Sequence, residues 1–198
     1  ICAALTTTSL FLITYETPSA LLHRWPVVAA HHAAGYRRSA TETPGGKMLK
    51  NMSKKLGGVF LVLVTPLDED NKQDNESLSK LVGYYLKAGV SGFTILGESS
   101  EIDKLTQKEK EDNLAIVKER VRGKVPLVFG TSQEGTQKAV EESVWAEQQG
   151  ADGLMIAPPK NVKLRDDAIF NYYAEINDKI NIPIIVQDYP QTNHPYMS

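Results

Sequence analysis

Residues 92–106, which read GFTILGESSEIDKLT, decide the fold. Residues 92–96 are a short apolar run rich in strand-forming side chains, and residues 97–101 are a small polar turn. Thr106 and Glu109 follow with the three-residue spacing of a capping box, which predicts the start of a helix. A strand that leads through a polar turn into a capped helix is one βα unit. Such a turn presents N–H groups and hydroxyls at the carboxyl end of a strand, where an anion finds hydrogen-bond donors.

The same alternation of strand and helix continues on both sides of this stretch. The other strands are predicted at residues 57–66, 126–131, 153–159 and 183–189, and the helices at residues 76–88, 106–122, 135–149 and 165–178. Strict alternation requires a parallel sheet. An open doubly wound sheet and a closed barrel both fit, but no glycine-rich dinucleotide motif follows the first strand. The sequence therefore favours an α/β fold, a (β/α)8 TIM barrel of which the first five βα units are present.

Residue spacing also predicts which side chains are buried. The third helix has an apolar set that we expect on its inner face, namely Ala139, Val140, Val144 and Trp145. Tyr172 and Tyr173 have the corresponding spacing in the fourth helix. We interpret them, like Trp145, as core or interface residues rather than as a ligand cage. The first strand is a continuous apolar run, which predicts burial on both of its faces.

The composition excludes several classes of function. With 198 residues, 41% of them hydrophobic and 23% charged, the chain has the profile of one globular domain. A net charge of −2 gives no indication of a nucleic-acid partner. The single cysteine, Cys2, rules out a disulfide scaffold and a cysteine-rich zinc site. The apolar run at residues 3–15 is too short and too rich in threonine to predict a membrane span.

Residues 1–47 differ from the rest of the chain. They are poor in acidic residues and are interrupted by Pro18, Pro26 and Pro44. An organelle transit segment, a signal-like segment and non-native or disordered sequence upstream of a start at Met48 or Met52 all fit this pattern. We favour the last of these. We therefore expect a disordered or targeting-like extension over 1–47, the N-terminal part of a barrel over 48–198, and a cytoplasmic location, or an organelle if residues 1–47 are a transit segment.

Five short motifs follow one another at even spacing between Leu56 and Pro190. They are Gly58-Val59 through Thr65-Pro66, Gly97-Glu98-Ser99-Ser100-Glu101 with Leu105-Thr106, Val125-Pro126 through Gly130, Gly150-Ala151-Asp152-Gly153 with Pro158-Pro159, and Pro183 through Pro190. Taken together, they resemble the dihydrodipicolinate synthase/N-acetylneuraminate lyase family. The second motif is similar to that family's Gly-Thr-Thr-Gly-Glu turn and trailing Leu-Thr, and the fifth to its Tyr-Asn-x-Pro strand end.

The resemblance implies a chemistry. Members of this family are (β/α)8 barrels that bind pyruvate or another 2-keto acid as a Schiff base on a lysine of the sixth strand, without a metal or another cofactor. It therefore implies a class I aldolase-type lyase that acts on carbon–carbon or carbon–oxygen bonds of a keto acid or sugar acid. The lysine is expected roughly 25–30 residues past the fifth strand, given the ~30-residue βα unit of such a barrel. This position lies beyond Ser198, so we expect the 198-residue chain itself to be inactive.

The resemblance also assigns roles to individual residues. It implies substrate binding by the residues of the turn, Gly97, Glu98, Ser99 and Ser100. It implies catalytic roles for Ser99 and Tyr189, and structural support from Thr65, Glu101 and Asp188, with Glu101 accepting backbone N–H bonds. Glu98 stands where the family has a threonine, and its carboxylate would repel a keto acid unless it turns away. The family's fifth-strand tyrosine falls on Gln187, two residues before Tyr189.

Two other functions remain open. Glu98 and Asp188 both follow predicted strands, and two carboxylates there could hold Mg²⁺ or Mn²⁺ for a metal-assisted aldolase. The alternative is a catalytically inactive, incomplete barrel. A lysine in an apolar sixth strand would distinguish the Schiff-base enzyme from both.

We also expect a homo-oligomer. The outer edges of the first and fifth strands, residues 58–64 and 184–186, have no partner among the predicted strands. An unpaired apolar edge of this kind favours pairing with a second copy of the chain.

Overall fold

The computed structural model describes residues 56–160 and 164–187, together with two short strands at Ile13–Thr14 and Val27–Ala29. The chain divides into two compact modules. The first module is built on Leu56–Gly130 and the second on Thr131–Ser198, and each also includes part of the N-terminal segment. From Leu56 onward, the described residues of both form parallel strands that alternate with helices along the sequence.

The described residues of the first module form four strands and two α-helices. They are β1 (Ile13–Thr14), β3 (Val59–Val62), α1 (Asn75–Ala88), β4 (Gly92–Ile95), α2 (Gln107–Val121) and β5 (Leu127–Gly130). β3 pairs in parallel with β4, and β4 pairs in parallel with β5. All four residues of β4 are buried, as are all four of β5. The predicted parallel order is therefore confirmed in this module.

In the second module, the part of the chain that the structure describes forms three strands and two α-helices. They are β2 (Val27–Ala29), α3 (Thr136–Gln148), β6 (Gly153–Ile156), α4 (Asp166–Asn177) and β7 (Ile184–Val186). β6 pairs in parallel with β7, with Leu154 opposite Ile184. No helix in the described ranges is long and apolar enough to cross a membrane.

The two short N-terminal strands lie on the outer edges of the predicted strands. β1 pairs antiparallel with β3, with Ile13 opposite Phe60, and β2 pairs in parallel with β7, with Val28 opposite Ile185. The expectation that both edges are unpaired is therefore wrong at these residues. The expectation for residues 1–47 as a whole stays a prediction, because most of that segment lies outside the described residues.

Helix ends follow the signals in the sequence. The Thr106 side chain accepts from the Glu109 N–H while the Glu109 carboxylate accepts from the Thr106 N–H, which confirms the capping box of α2. α1 ends at Gly89, whose φ of +86° places it in the left-handed region. Both helices therefore begin or end where local sequence chemistry requires.

Burial in α3 differs in part from the prediction, because only Ala139 of the predicted inner set is fully buried. α3 buries its small side chains, Ala139, Ser143 and Ala146, while Val140, Val144 and Trp145 are only half-buried. These small residues, at spacings of four and three, form one face of the helix. A face of small side chains lets the helix pack closely on its neighbours, and this favours its burial over that of the larger apolar side chains. The first strand is buried on both faces at its centre, because Phe60 and Leu61 point to opposite sides and are both buried. Its end residues, Val59 and Val62, are half-buried, and Val64, beyond the strand, is exposed. Tyr172 and Tyr173 are buried, as predicted.

Candidate functional site

The polar turn predicted at residues 97–101 follows β4 directly. Its backbone enters the left-handed region twice, at Leu96 with φ +55° and at Glu101 with φ +53°. Between these positions, Glu98–Ser100 form a single 3-10 turn. Residues other than glycine adopt positive φ values only when their surroundings hold them there. Neighbouring segments must therefore fix the shape of this turn.

One of these neighbours is the end of β5. A Cβ atom on Gly130 would lie 2.5 Å from the Leu96 carbonyl oxygen and 2.8 Å from Gly97 Cα. Both distances are too short for a real Cβ contact, and both partners are backbone atoms that cannot rotate away. Gly130 is therefore required for the close approach of β5 to the turn.

A second constraint is a chain of side-chain hydrogen bonds. Ser100 Oγ donates to the Leu63 carbonyl at 2.6 Å, and Thr65 Oγ1 donates to the Ser100 carbonyl at 2.9 Å. Asn113 Nδ2, from α2, donates to Thr65 Oγ1 at 3.3 Å. Ser100 and Asn113 are each only 2% exposed. These bonds connect the turn to the segment after β3 and to α2, with Thr65 bonded to both.

Ser99 and Glu98 differ from Ser100 in their surroundings. Ser99 is half-buried, and its hydroxyl makes no hydrogen bond to any described residue. Glu98 is exposed, whereas Ser100 is buried. The turn therefore has one hydroxyl that anchors it, on Ser100, and one that is available to a ligand, on Ser99.

Glu101 does not have the contacts that were predicted for it. Its carboxylate pairs with the Lys104 ammonium at 2.8 Å, and both side chains are largely exposed. No backbone N–H among the described residues donates to it. A short-range ion pair has replaced the expected backbone contacts, because Glu101 Oε2 reaches the side chain three residues later in the following 3-10 turn. Glu101 therefore shapes the turn through its left-handed backbone rather than through its carboxylate.

In the second module, α4 fixes the loop that follows β5. Tyr172 Oη donates to the Gln133 carbonyl at 2.9 Å and accepts from the Gln133 N–H at 3.4 Å. Ser132 Oγ accepts from the Ala157 N–H at 2.9 Å, and the Glu134 carboxylate accepts from the Lys160 N–H. The loop is thus bonded both to the helix and to the carboxyl end of β6.

The phenol of Tyr172 is structural. Burial raises its pKa to about 12, and the backbone hydrogen bond to Gln133 opposes this shift. At neutral pH the group is therefore uncharged and remains a hydrogen-bond donor. The neighbouring Tyr173 acts in the same way, since its Oη donates to the Ile156 carbonyl at 2.9 Å.

The structure brings together part of the predicted site. Thr65 and residues 97–100 form one connected cluster in the first module. Asp188 and Tyr189 lie outside the described residues, so their roles stay predictions. Sequence reasoning missed Asn113, although a polar residue four positions before the core residue Val117 was a usable signal.

It also missed the loop of residues 132–134. The signal there was its polar sequence immediately after a buried strand, the same logic that identified the turn after β4.

The described residues contain no cluster of side chains that could bind a metal ion. No group of three or more His, Cys, Asp or Glu side chains that could hold an ion occurs in residues 56–160 or 164–187. Of the two carboxylates considered for a metal, Glu98 is exposed, and Asp188 lies outside the described residues.

Comparison with known proteins extends this local picture. A 4-hydroxy-tetrahydrodipicolinate synthase from Protochlamydia amoebophila is 34% identical over 129 residues, which are 65% of this chain and 43% of that protein. The dihydrodipicolinate synthase structure from Thermotoga maritima matches with a TM-score of 0.64 and 28% identity, over 67% of this chain and 44% of that one.

A third relative was solved with a ligand. It is a prophage protein of the dihydrodipicolinic acid synthase family from E. coli K12 in complex with pyruvate, and it matches with a TM-score of 0.62 and 25% identity. The match covers 68% of this chain and 45% of that one. The chain therefore spans less than half of the length of these relatives.

These matches decide the fold and the family. The structural matches confirm the predicted α/β fold, the first five βα units of a (β/α)8 barrel. The Dihydrodipicolinate synthetase family matches residues 55–197, which is most of the sequence. This chain belongs to the dihydrodipicolinate synthetase family.

Proposed function

We propose that this chain carries the carboxylate-binding turn of a Schiff-base-forming keto-acid lyase that acts on pyruvate, a related 2-keto acid or a sugar acid. The observation that carries the proposal is the Ser99 hydroxyl. It is half-buried at the carboxyl end of β4 and has no hydrogen-bond partner among the described residues. Chemistry in α/β barrels is located at the carboxyl ends of the strands.

The turn suits a small carboxylate because its donor is fixed in advance. Two hydrogen bonds hold the next residue, Ser100: its hydroxyl donates to the Leu63 carbonyl at 2.6 Å, and its carbonyl accepts from Thr65 Oγ1 at 2.9 Å. A donor that is already in place loses little conformational entropy when the ligand arrives. Ser99 Oγ then donates to a carboxylate oxygen and orients the keto group, while the amine that forms the Schiff base is expected on a sixth strand of the full-length protein.

Glu98 sets a limit on the affinity. Its carboxylate neighbours Ser99 in the sequence, and like charges repel. Because the Glu98 side chain is exposed, water screens this repulsion and leaves it small. The turn can therefore bind a keto acid, but its affinity is lower than it would be with a threonine at position 98.

The relatives support the substrate class. One related structure contains pyruvate, and several related proteins are named 4-hydroxy-tetrahydrodipicolinate synthase. A homo-oligomer and a cytoplasmic location, or an organelle if residues 1–47 are a transit segment, belong to the same proposal. No observation on the described residues favours the metal-assisted alternative. An inactive, incomplete barrel stays the other alternative, and failure to bind pyruvate in the experiment below would favour it.

The test measures the affinity for pyruvate. Saturation-transfer NMR on the pyruvate methyl group would compare the unaltered chain with Ser99→Ala, using Ser79→Ala as the control. Ser79 is a half-buried serine on α1, away from the turn. Loss of a hydrogen bond to a charged group predicts at least about a fivefold weaker affinity for Ser99→Ala and no change for the control. Equal affinities in all three proteins would refute the proposal.

A further inference from the structure

A basic cavity lies between the C-terminal ends of α1 and α2 in the first module. Its volume is about 310 Å³, within the usual range for small-molecule sites. We call it the basic groove; it is lined by Gly83, Leu86, Lys87, Glu119, Arg120, Arg122 and Lys124. Four cationic side chains therefore surround one cavity, against a single carboxylate.

The groove has a fixed wall. Arg120 Nε donates to the Ser79 carbonyl of α1 at 3.2 Å, which holds the guanidinium across the two helices. A Cβ atom on Gly83 would lie 2.5 Å from Arg120 Nη2, so the absence of a side chain at position 83 makes room for that group. Arg122 is held as well, because its Nε donates to the Glu119 carbonyl at 3.1 Å. Both guanidinium groups are therefore positioned before any ligand arrives.

The positive charges of the groove are not neutralised. None of Lys87, Arg120, Arg122 and Lys124 forms an ion pair with any residue in the described ranges. Lys80 and Lys108, on the same two helices, are paired with Glu76 and Asp112.

The helix ends explain how four cationic side chains can lie close together. The C-terminal ends of α1 and α2 carry partial negative charge, which stabilises nearby cations. This effect allows the cations to gather there but does not use their hydrogen-bonding capacity.

We propose that the basic groove binds a compact multivalent anion of the phosphate class, such as a small phosphorylated or pyrophosphorylated molecule. A guanidinium group presents paired N–H donors that match two oxygens of a phosphate group. The groove is separate from the turn of residues 97–101. It lies where α1 and α2 end and lead into β4 and β5, whereas the turn lies at the opposite, carboxyl end of β4. The proposal therefore concerns a second site and is independent of the keto-acid proposal.

The first test uses inorganic pyrophosphate as the probe. Isothermal titration into the full 198-residue chain should give binding that weakens as sodium chloride rises, since salt screens exposed charges. Lys87→Gln and Arg122→Gln should each weaken this binding about three- to fivefold. The matched controls, Lys80→Gln on α1 and Lys108→Gln on α2, remove one charge from the same helices and should change it less than twofold.

The second test uses the unaltered protein and does not depend on the folding of a variant. Brief acetylation followed by mass spectrometry should show that pyrophosphate protects Lys87 and Lys124 but leaves Lys80 and Lys108 reactive. Absence of pyrophosphate binding at millimolar concentration, equal losses in groove and control variants, or protection spread over all four lysines would overturn the proposal. Citrate that competes equally well would extend the ligand class to carboxylates and overturn the preference for phosphate.

Discussion

Replacing Ser100 with alanine tests whether the turn is anchored as the structure shows. Ser100 Oγ donates to the Leu63 carbonyl at 2.6 Å, and the residue is only 2% exposed. The substitution removes this bond and leaves a buried carbonyl without its donor. Loss of one partner in a buried pair costs about 1–3 kcal/mol. Ser99 lacks such a bond, so Ser99→Ala should change the free energy of unfolding by less than about 0.5 kcal/mol.

The contrast between the two adjacent serines makes the experiment decisive. Urea unfolding followed by circular dichroism gives both free energies under one set of conditions. With a denaturant slope on the order of 2 kcal/mol/M, Ser100→Ala should lower the urea midpoint by about 0.5–1.5 M, and Ser99→Ala should leave it unchanged. Two results would refute the assignment of Ser100 as the anchor of the turn and Ser99 as the hydroxyl available to a ligand. They are equal urea midpoints for the two variants and a lower midpoint for Ser99→Ala than for Ser100→Ala.

Further predictions concern Gly130, Tyr172, Glu98 and the lysines of the described residues. Gly130→Ala should cost about 1–3 kcal/mol of stability, because its Cβ meets the Leu96 carbonyl at 2.5 Å; an unchanged midpoint would show that β5 and the turn can separate. Tyr172 should ionise near pH 12, so its contribution to stability is complete below pH 10 and is lost as pH rises toward 12; a Tyr172→Phe variant with the same alkaline unfolding curve would contradict this. Glu98→Gln should strengthen pyruvate binding about two- to threefold at low salt, because it removes a solvent-screened like charge next to Ser99. A weaker affinity would show that Glu98 helps binding. Borohydride with pyruvate should label no lysine among the described residues, because none is buried; a single-lysine adduct within residues 56–160 or 164–187, found by mass spectrometry, would be the contrary result.

Much of the fold could be predicted because its signals are local. The capping box at Thr106 and Glu109 and the helix stop at Gly89 each depend on a few neighbouring residues, and both appear as predicted. The face of α3 could not be predicted in the same way. Apolar spacing selects Val140 and Val144, but the buried face consists of small residues, and its choice depends on how closely the helix packs.

The candidate site shows the same division. The cluster of Thr65 with the turn of residues 97–101 follows from the rule that parallel strands end at one edge. The bond from Asn113 to Thr65 joins residues 48 positions apart and follows from no local pattern. Glu101 was predicted to accept backbone bonds, but an exposed lysine three residues later competes for its carboxylate.

The most direct test of whether the turn of residues 97–101 binds a keto acid is to locate bound pyruvate on the chain. Amide proton–nitrogen spectra of the labelled 198-residue chain, recorded during a pyruvate titration, report which N–H groups feel the ligand. If the turn binds the carboxylate, the largest shifts should fall on Gly97, Glu98 and Ser99, at the carboxyl end of β4. Ser99→Ala should reduce these shifts. Saturable shifts confined to other residues, or none in the turn at millimolar pyruvate, would contradict it.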